Sequence, residues 1–329
     1  MLLTSWLASL KQLSNRSNRR STNRKSRRRV VETVAAESLE TRALLSAGSL
    51  DASFGNSGIV TTNFIEVTNL PGWSDSASSV ALQADGKVVV AGTTQPNGGA
   101  LGAISRYNTD GTLDTTFSID GKVSDSRFNS IQDVAVQADG KIVVVGRAYP
   151  VNGNLGNFAI GRFDANGSPD TTFGTNGLVI TNPGAYDTAY AVAILSDGKI
   201  LVTGESGYPG AEQPVGFTLQ RFNDNGTLDK SFGNSGLVRT FFTPELGSGY
   251  GGQGNVRARD VVVQPDGKIV VAGYSLETNN RFAVARYNSD GSLDTSFDND
   301  GRVVTSPDVG KAYATSMALQ ADGRILVAG

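Results

Sequence analysis

The side chains that could do chemistry in this sequence are acids, arginines, lysines, serines and tyrosines, because none of its 329 residues is His or Cys. That composition excludes Ser–His and Cys–His nucleophile pairs, thiolate metal sites and the usual zinc and haem ligands. Glycosidase chemistry would need two carboxyls converging within about 5–10 Å, and no spacing in the chain singles out such a pair. We therefore assign no catalytic residue and no cofactor.

Several aromatic residues stand in polar, Gly- and Pro-rich segments that predict loops, each with an acid close by. Exposed rings of this kind can stack on sugars or anchor a protein partner. The alternative is that they pack over the ends of the elements that the loops connect. The candidate binding residues are Trp73, Tyr149, Tyr186, Asp187, Tyr208 and Tyr250.

A recurring Asn/Asp-x-Asn/Asp-Gly-x-x-Asp phrase could supply oxygen ligands to calcium. Calcium takes about six to eight oxygens, whereas each copy offers three such side chains and no terminal Glu. Turn chemistry is the competing interpretation, and a calcium-stiffened scaffold stays an open alternative. The copies begin at Asn108, Asp164, Asn223 and Asn288. Two residues before them stand Arg106, Arg162, Arg221 and Arg286, which we expect to pair with a repeat Asp or to cover the blade edge. A ring of arginines that binds an anion is the alternative.

These phrases belong to an internal repeat that begins after residue 49. Each unit contains Leu/Pro-Asp-x-x-Phe, then Asp-Gly between two apolar runs, then Arg-Tyr/Phe, although the last unit stops before its Arg. The phenylalanines of the first phrase are 63, 56, 59 and 65 residues apart, and we expect all of them in the core. They are Phe54, Phe117, Phe173, Phe232 and Phe297.

Each unit predicts four short antiparallel strands. Asp-Gly between β-branched runs is a hairpin signal, and no segment after residue 49 has sustained helical periodicity. The fold class is therefore all-β, a β-propeller-like array of four-stranded antiparallel blades. In the first unit we predict strands at roughly Ile59–Phe64, Ser79–Gln83, Lys87–Thr94 and Gly102–Asn108.

The repeat domain, residues 50–329, holds about 4.75 units and stops inside the third strand of the fifth. We therefore expect a fragment of a longer protein whose blades form an open or incomplete arc. The Asp-Gly and Asn-Gly turns are nearly constant in length between copies, whereas the other two connections vary. Because those variable loops share one face of a blade, we expect the ligand there.

The units resemble the delta-60 repeat, and the copy at Val261–Phe297 matches it best. The resemblance covers essentially all of residues 50–329. It implies a propeller-like domain in a large exported or surface-associated bacterial protein, and it implies no catalytic residues.

Residues 1–49 differ from the rest in charge: they contain ten Lys or Arg and three acids, whereas the remainder contains 19 basic and 28 acidic residues. We expect a disordered or partly helical basic leader outside the core. The segment Leu39–Ser46 resembles the Leu-Glu-x-Arg-x-Leu-Leu-Ser leader of large exported bacterial surface proteins and implies export. A plain solvated tail is the alternative. Nucleic-acid binding is disfavoured because the body is acidic and no recognition motif follows.

Together these observations predict a non-catalytic structural or binding module at the bacterial cell surface, with a protein or glycan ligand or further repeats as partners. No apolar run reaches the roughly 20 residues of a membrane-spanning helix. The alternative function is a carboxylate-based polysaccharide hydrolase or lyase on the same scaffold.

Overall fold

Nine stretches of the chain are described by the computed structural model, and every regular element in them is a β-strand. The leader lies outside the described residues, so the division at residue 49 stays a prediction. The stretches are 49–64, 74–96, 99–149, 156–184, 186–207, 215–242, 256–275, 280–305 and 311–329.

The strands form four four-stranded sheets and one two-stranded sheet, in each of which neighbours in sequence pair antiparallel. The first sheet contains β1 (Asp75–Leu82), β2 (Val88–Thr94), β3 (Leu101–Tyr107) and β4 (Lys122–Asp125). The second contains β5 (Ser130–Val136), β6 (Ile142–Ala148), β7 (Asn157–Phe163) and β8 (Leu178–Thr181). The third contains β9 (Asp187–Ile194), β10 (Ile200–Ser206), β11 (Gly216–Phe222) and β12 (Leu237–Thr240). The fourth contains β13 (Val256–Val263), β14 (Ile269–Ser275), β15 (Phe282–Tyr287) and β16 (Arg302–Thr305), and the last contains β17 (Ser316–Leu319) and β18 (Ile325–Ala328).

The first strand of each sheet contacts the first strand of the next, from β1 through β5, β9 and β13 to β17. The sheets therefore follow one another as the blades of an open, propeller-like arc, as the repeat predicts. The second and third strands, such as β6 and β7, are buried along most of their length because they are covered on both faces. Phe117, Phe173 and Phe232 are fully buried between sheets, as expected, whereas Phe54 and Phe297 are half-buried.

The predicted order of strands within a unit is wrong in one respect. Ile59–Phe64 forms no strand, and the segment after each Leu-Asp-x-x-Phe phrase is the fourth strand of the sheet before it, as β4 pairs with β3. Ile59–Phe64 follows no described strand with which it could pair in this way. It instead packs on the first sheet, where the Tyr107 hydroxyl donates a hydrogen bond to Thr62 Oγ1 (2.7 Å).

The connections at the two ends of the sheets differ in length, as predicted. At one end, all five connections between first and second strands contain five residues, and all four between third and fourth strands contain 14. At the other end, the connections contain from four residues (126–129) to 15 (241–255). We call these ends the constant face and the variable-loop face.

A glycine in the second strand of each four-stranded sheet makes room for a β-bulge in the first strand. The pairing between the first two strands shifts by one residue in four sheets, opposite Gly92, Gly146, Gly204 and Gly273. A Cβ at Gly146 would collide with the backbone carbonyl of Ser130 and lie 2.9 Å from the Cα of Ile131. The repeated glycine therefore permits the close backbone approach that the bulge needs.

Replacing Gly146 by Ala is expected to lower the free energy of unfolding by about 1–3 kcal/mol, because the added methyl group forces the two backbones apart. Chemical denaturation of the full chain measures the loss. Gly99→Ala is the matched control, since its Cβ would meet only the Pro96 carbonyl at 3.8 Å. Equal stability of the two variants would show that the bulge tolerates a side chain.

Candidate functional site

The constant face carries an ion cluster that recurs in four sheets. In the second sheet, Asp170 Oδ2 accepts hydrogen bonds from Arg162 Nε (2.7 Å) and Lys141 Nζ (2.8 Å). The Arg162 guanidinium also lies 4.7 Å from the centre of the Phe173 ring. The equivalent Arg–Asp–Lys clusters are Arg106–Asp114–Lys87, Arg221–Asp229–Lys199 and Arg286–Asp294–Lys268.

The repeated arginines also join neighbouring sheets. Arg162 Nη1 donates to the Asp224 carbonyl (2.6 Å), and Arg221 Nη1 donates to the Ser289 carbonyl (2.5 Å), in each case in the next unit. The prediction that these arginines pair with a repeat Asp is therefore confirmed. Each of the four guanidinium groups is paired with a repeat Asp, and three also bind a carbonyl in the next unit, which argues against a ring of arginines that binds an anion.

The side-chain oxygens of the Asn/Asp-Gly phrase serve the turn itself. Asp110 Oδ1 accepts hydrogen bonds from the amide (2.9 Å) and hydroxyl (2.7 Å) of Thr112, and Asp114 Oδ1 accepts the same pair from Thr116 (3.0 and 2.6 Å). This is the capping arrangement that turn chemistry predicts. Among the described residues, no three acids converge as a metal site would require.

The variable-loop face carries a pocket of about 280 Å³ where the second, third and fourth sheets meet. This volume lies near the lower end of the range for small-molecule sites. Arg147 at the end of β6 comes from the second sheet, Asp187 and Glu205 from β9 and β10 of the third, and Arg257 from β13 of the fourth. Tyr186 completes the polar lining.

Three of the predicted binding residues meet at this pocket. Tyr186 and Asp187 line it, and Tyr149 lies under the guanidinium of Arg147, whose carbon is 5.0 Å from the ring centre. Tyr186 is 39% exposed and Tyr149 43% exposed, whereas Asp187 is buried. Their role in binding stays a prediction. Trp73, Tyr208 and Tyr250 lie outside the described residues.

The two acids of the pocket have different surroundings. Glu205 forms an ion pair with Arg257 Nε, and its Oε1 accepts a hydrogen bond from the Tyr190 hydroxyl (2.9 Å). Asp187 is 1% exposed, and its Oδ2 accepts a hydrogen bond from the Gly184 amide (3.2 Å). Burial raises the pKa of Asp187. The pocket therefore holds one acid that is paired with an arginine and one whose pKa is raised by burial.

A cluster of arginine and tyrosine adjoins the pocket. The Arg259 guanidinium lies 3.8 Å from the centre of the Tyr190 ring and donates a hydrogen bond to the Tyr274 hydroxyl (2.8 Å). Tyr190 and Arg259 are the extra residues of the bulges in β9 and β13, so the bulges aim them at each other. Tyr274 also packs edge-on against Tyr313, with the ring centres 5.0 Å apart.

Sequence reasoning missed Arg147, Glu205 and Arg257 because they lie within strands rather than loops. Arg147 and Glu205 directly follow the repeated glycine of the second strand, and Arg257 pairs with Tyr274, which follows the same glycine in the fourth sheet. The residue after that glycine is Thr93, Arg147, Glu205 or Tyr274 in successive copies. This variation at the end of an otherwise uniform apolar strand is the signal that could have located the pocket.

Four segments of the chain match the family described as "Domain of unknown function (DUF5122) beta-propeller": residues 83–117, 137–173, 195–232 and 264–297. Each segment runs from the end of a first strand to the phenylalanine of the repeat phrase. The chain is a propeller-like tandem repeat protein. The resemblance to the delta-60 repeat and the leader motif stay predictions. A comparison with curated proteins finds no match.

Similar solved structures are remote in sequence. One is a protein of unknown function from Dyadobacter fermentans, with 14% identity, a TM-score of 0.46, and coverage of 78% of this chain and 79% of the other. The GH93 α-L-arabinofuranosidase of Fusarium graminearum has 11% identity and a TM-score of 0.49, with coverage of 79% of this chain and 76% of the other. A gluconolactonase from Xanthomonas campestris has 18% identity and a TM-score of 0.41, with coverage of 76% of this chain and 68% of the other. These likenesses are too distant to assign an activity to the propeller-like chain. In its described residues, it has no helix long and apolar enough to cross a lipid bilayer.

Proposed function

We propose that the repeat region is a non-catalytic binding module of an exported, surface-associated protein, and that its ligand enters the pocket on the variable-loop face. The observation that carries this proposal is the convergence of Arg147, Tyr186, Asp187, Glu205 and Arg257 from three sheets on one pocket. Tyrosine and arginine are the residue types that supply much of the energy in binding sites. The ordered charges of the constant face, in contrast, are paired within the repeat.

A hydrolase or lyase acting on polysaccharide is the second candidate. It is favoured by two acids lining one pocket, of which Asp187 has a raised pKa and Glu205 is held by Arg257. A carboxyl with a raised pKa beside a second carboxyl is the arrangement that glycoside hydrolysis uses. The binding module is preferred because Asp187 is buried and Glu205 is engaged by both Arg257 and Tyr190, which leaves neither free to approach a glycosidic bond.

Binding of the full chain to arrayed glycans and peptides, followed by mass spectrometry of the bound glycans, separates the two candidates. We expect binding without cleavage, and we expect Tyr186→Ala to weaken it about tenfold because an exposed ring at the rim is lost. Ile119 is a strongly exposed residue on the constant face, so the Ile119→Ala variant is the control and should bind the ligand like the unaltered chain. Cleavage products that disappear in Glu205→Gln would establish the enzyme instead.

Export is tested on the native protein. The leader resemblance predicts a species in the cell-envelope fraction whose N-terminus lies near Ala47 or Gly48. Fractionation followed by N-terminal sequencing measures it. An unprocessed chain confined to the cytosolic fraction would contradict export and a surface location for the binding module.

A further inference from the structure

The charges around the pocket are unevenly compensated. Glu205 and Arg257 neutralise each other, and burial favours the protonated form of Asp187. Arg147 lines the same pocket, yet its side chain makes no ion pair and its buried Nε has no hydrogen-bond partner among the described residues. Its guanidinium contacts the Tyr149 ring, which orients it without satisfying its donors. Arg147 is therefore the uncompensated cation of the site.

We infer that this pocket selects a sugar that bears a carboxylate, with Arg147 binding the carboxylate; the inference rests on the proposed function and names its ligand class. A guanidinium presents a planar fork of donors that matches a carboxylate in two parallel hydrogen bonds. A half-buried guanidinium without an internal acid gains most from such a partner, because the surrounding protein screens the pair less than water does.

The rest of the pocket fits a sugar ring better than a small inorganic anion. Tyr186 lines the pocket with a well-exposed ring on which a sugar can stack, and the exposed Tyr149 ring lies beside it under Arg147. Glu205 is held in place by Arg257 and Tyr190, but it lines the pocket, and the remaining lone pairs of its carboxylate can accept a hydrogen bond from a sugar hydroxyl. A uronate can place its single charge at one end, beside Arg147, and its ring and hydroxyls along the rest of the pocket.

Calorimetric titration of the full chain with matched pairs of oligosaccharides tests the inference. The probes are tetragalacturonate, tetramannuronate and tetraglucuronate, each beside its methyl ester, which keeps the sugar and removes the charge. We expect at least one acid to bind and its ester to bind at least about tenfold more weakly. Arg147→Gln should cause a similar loss, and Arg147→Lys, which keeps the charge but not the fork, a smaller one. Arg324→Gln, a highly exposed arginine in the turn between β17 and β18, should bind like the unaltered chain.

The outcomes distinguish this inference from the function on which it rests. If neutral oligosaccharides or peptides bind and Tyr186→Ala weakens them, while esterification and Arg147→Gln have no effect, the binding module stands and the acidic ligand is wrong. If inorganic phosphate displaces the uronate with equal dependence on Arg147, the site is a general anion site and the sugar class is wrong. If no probe binds, both proposals are overturned. Thermal melts of both Arg147 variants verify that the protein is folded.

Discussion

Replacing Asp170 by Asn is expected to lower the free energy of unfolding by about 3 kcal/mol. Arg162 and Asp170 are each only 2% exposed, and Asp170 also holds Lys141. Asn keeps the shape of the side chain but removes the buried charge that Arg162 and Lys141 share, leaving them only the more exposed acids Asp224 and Asp164. Because Arg162 Nη1 also binds the carbonyl of Asp224 in the next unit, the loss reaches the contact between sheets. Urea denaturation of the full chain measures it.

The control for this variant is Asp197→Asn. Asp197 accepts a similar backbone hydrogen bond in an exposed turn, and its contact with Lys199 lies in solvent, so we expect little change. A loss for Asp170→Asn as small as that of the control would mean that the repeated ion cluster does not hold the sheets together.

The effect of Asp170→Asn should depend on pH in a defined direction. Burial acts to raise the pKa of Asp170, but hydrogen bonds from Lys141 and Thr172 and the charge of Arg162 outweigh it and hold the pKa well below the usual range. A carboxyl whose pKa is lower in the folded than in the unfolded state stabilises the protein above the unfolded pKa of about 3.9, and that stability is lost as the pH falls. The difference between the unaltered chain and the variant should therefore shrink below about pH 4.

Much of the fold could be predicted because its determinants are local. Asp85-Gly86 sets a hairpin turn by itself, and Gly86 has the positive φ (82°) that the turn requires. The Asp114 cap and the Arg106–Asp114 ion pair lie within eight residues of sequence. Such features recur in every unit and can be recognised in each copy separately.

The sheet to which the strand after each repeat phrase belongs could not be predicted in the same way. In a tandem repeat of hairpins, the segment after the phrase, Lys122–Asp125 for example, can belong to the sheet before it or to the sheet after it. Both choices satisfy the local turn signals. Only the pairing of Gly102 with Asp125, across a connection of 14 residues, decides between them, and that pairing depends on the packing of whole sheets.

The pocket was predictable only in part for a related reason. Tyr186 and Asp187 stand in a variable loop or at its end, so their face could be inferred from loop lengths. Arg147 and Arg257 are separated by 110 residues, and each is unremarkable within its own strand. They line the same pocket because the first strands of the second, third and fourth sheets, which we call the inner strands, contact one another in turn. In this repeat fold, the constant face is set by local sequence that recurs in each copy. The pocket on the variable-loop face is instead formed by residues that differ between copies and come from three sheets.

The inner strands hold a second carboxylate whose replacement should have a large effect. Asp133 in β5 bridges three sheets: its Oδ1 accepts from Ser79 Oγ of β1 (2.6 Å) and from its neighbouring amide at Val134 (2.8 Å), and its Oδ2 accepts from the Val192 amide of β9 (2.8 Å). Asp260 in β13 makes the equivalent contact with the Met317 amide of β17. The bridge therefore recurs in the second and fourth sheets.

Asp133→Asn is expected to lower the free energy of unfolding by about 1–3 kcal/mol near neutral pH, because an amide can present only one oxygen to three donors. Asp139→Asn, in the exposed turn of the same hairpin, is the control.

Burial, with a smaller contribution from the charge of Asp260, raises the pKa of Asp133, despite the hydrogen bonds that it accepts. A carboxyl with a raised pKa in the folded state contributes its full stability below the unfolded pKa and loses it as the pH rises through the folded pKa. The advantage of the unaltered chain over Asp133→Asn should therefore grow as the pH falls from about 7 to about 4, opposite to the trend for Asp170→Asn. If the stability difference changed with pH in the same direction for both variants, the two carboxyls would have similar surroundings. Asp170 in its ion cluster and Asp133 in its buried bridge would then not differ in pKa direction.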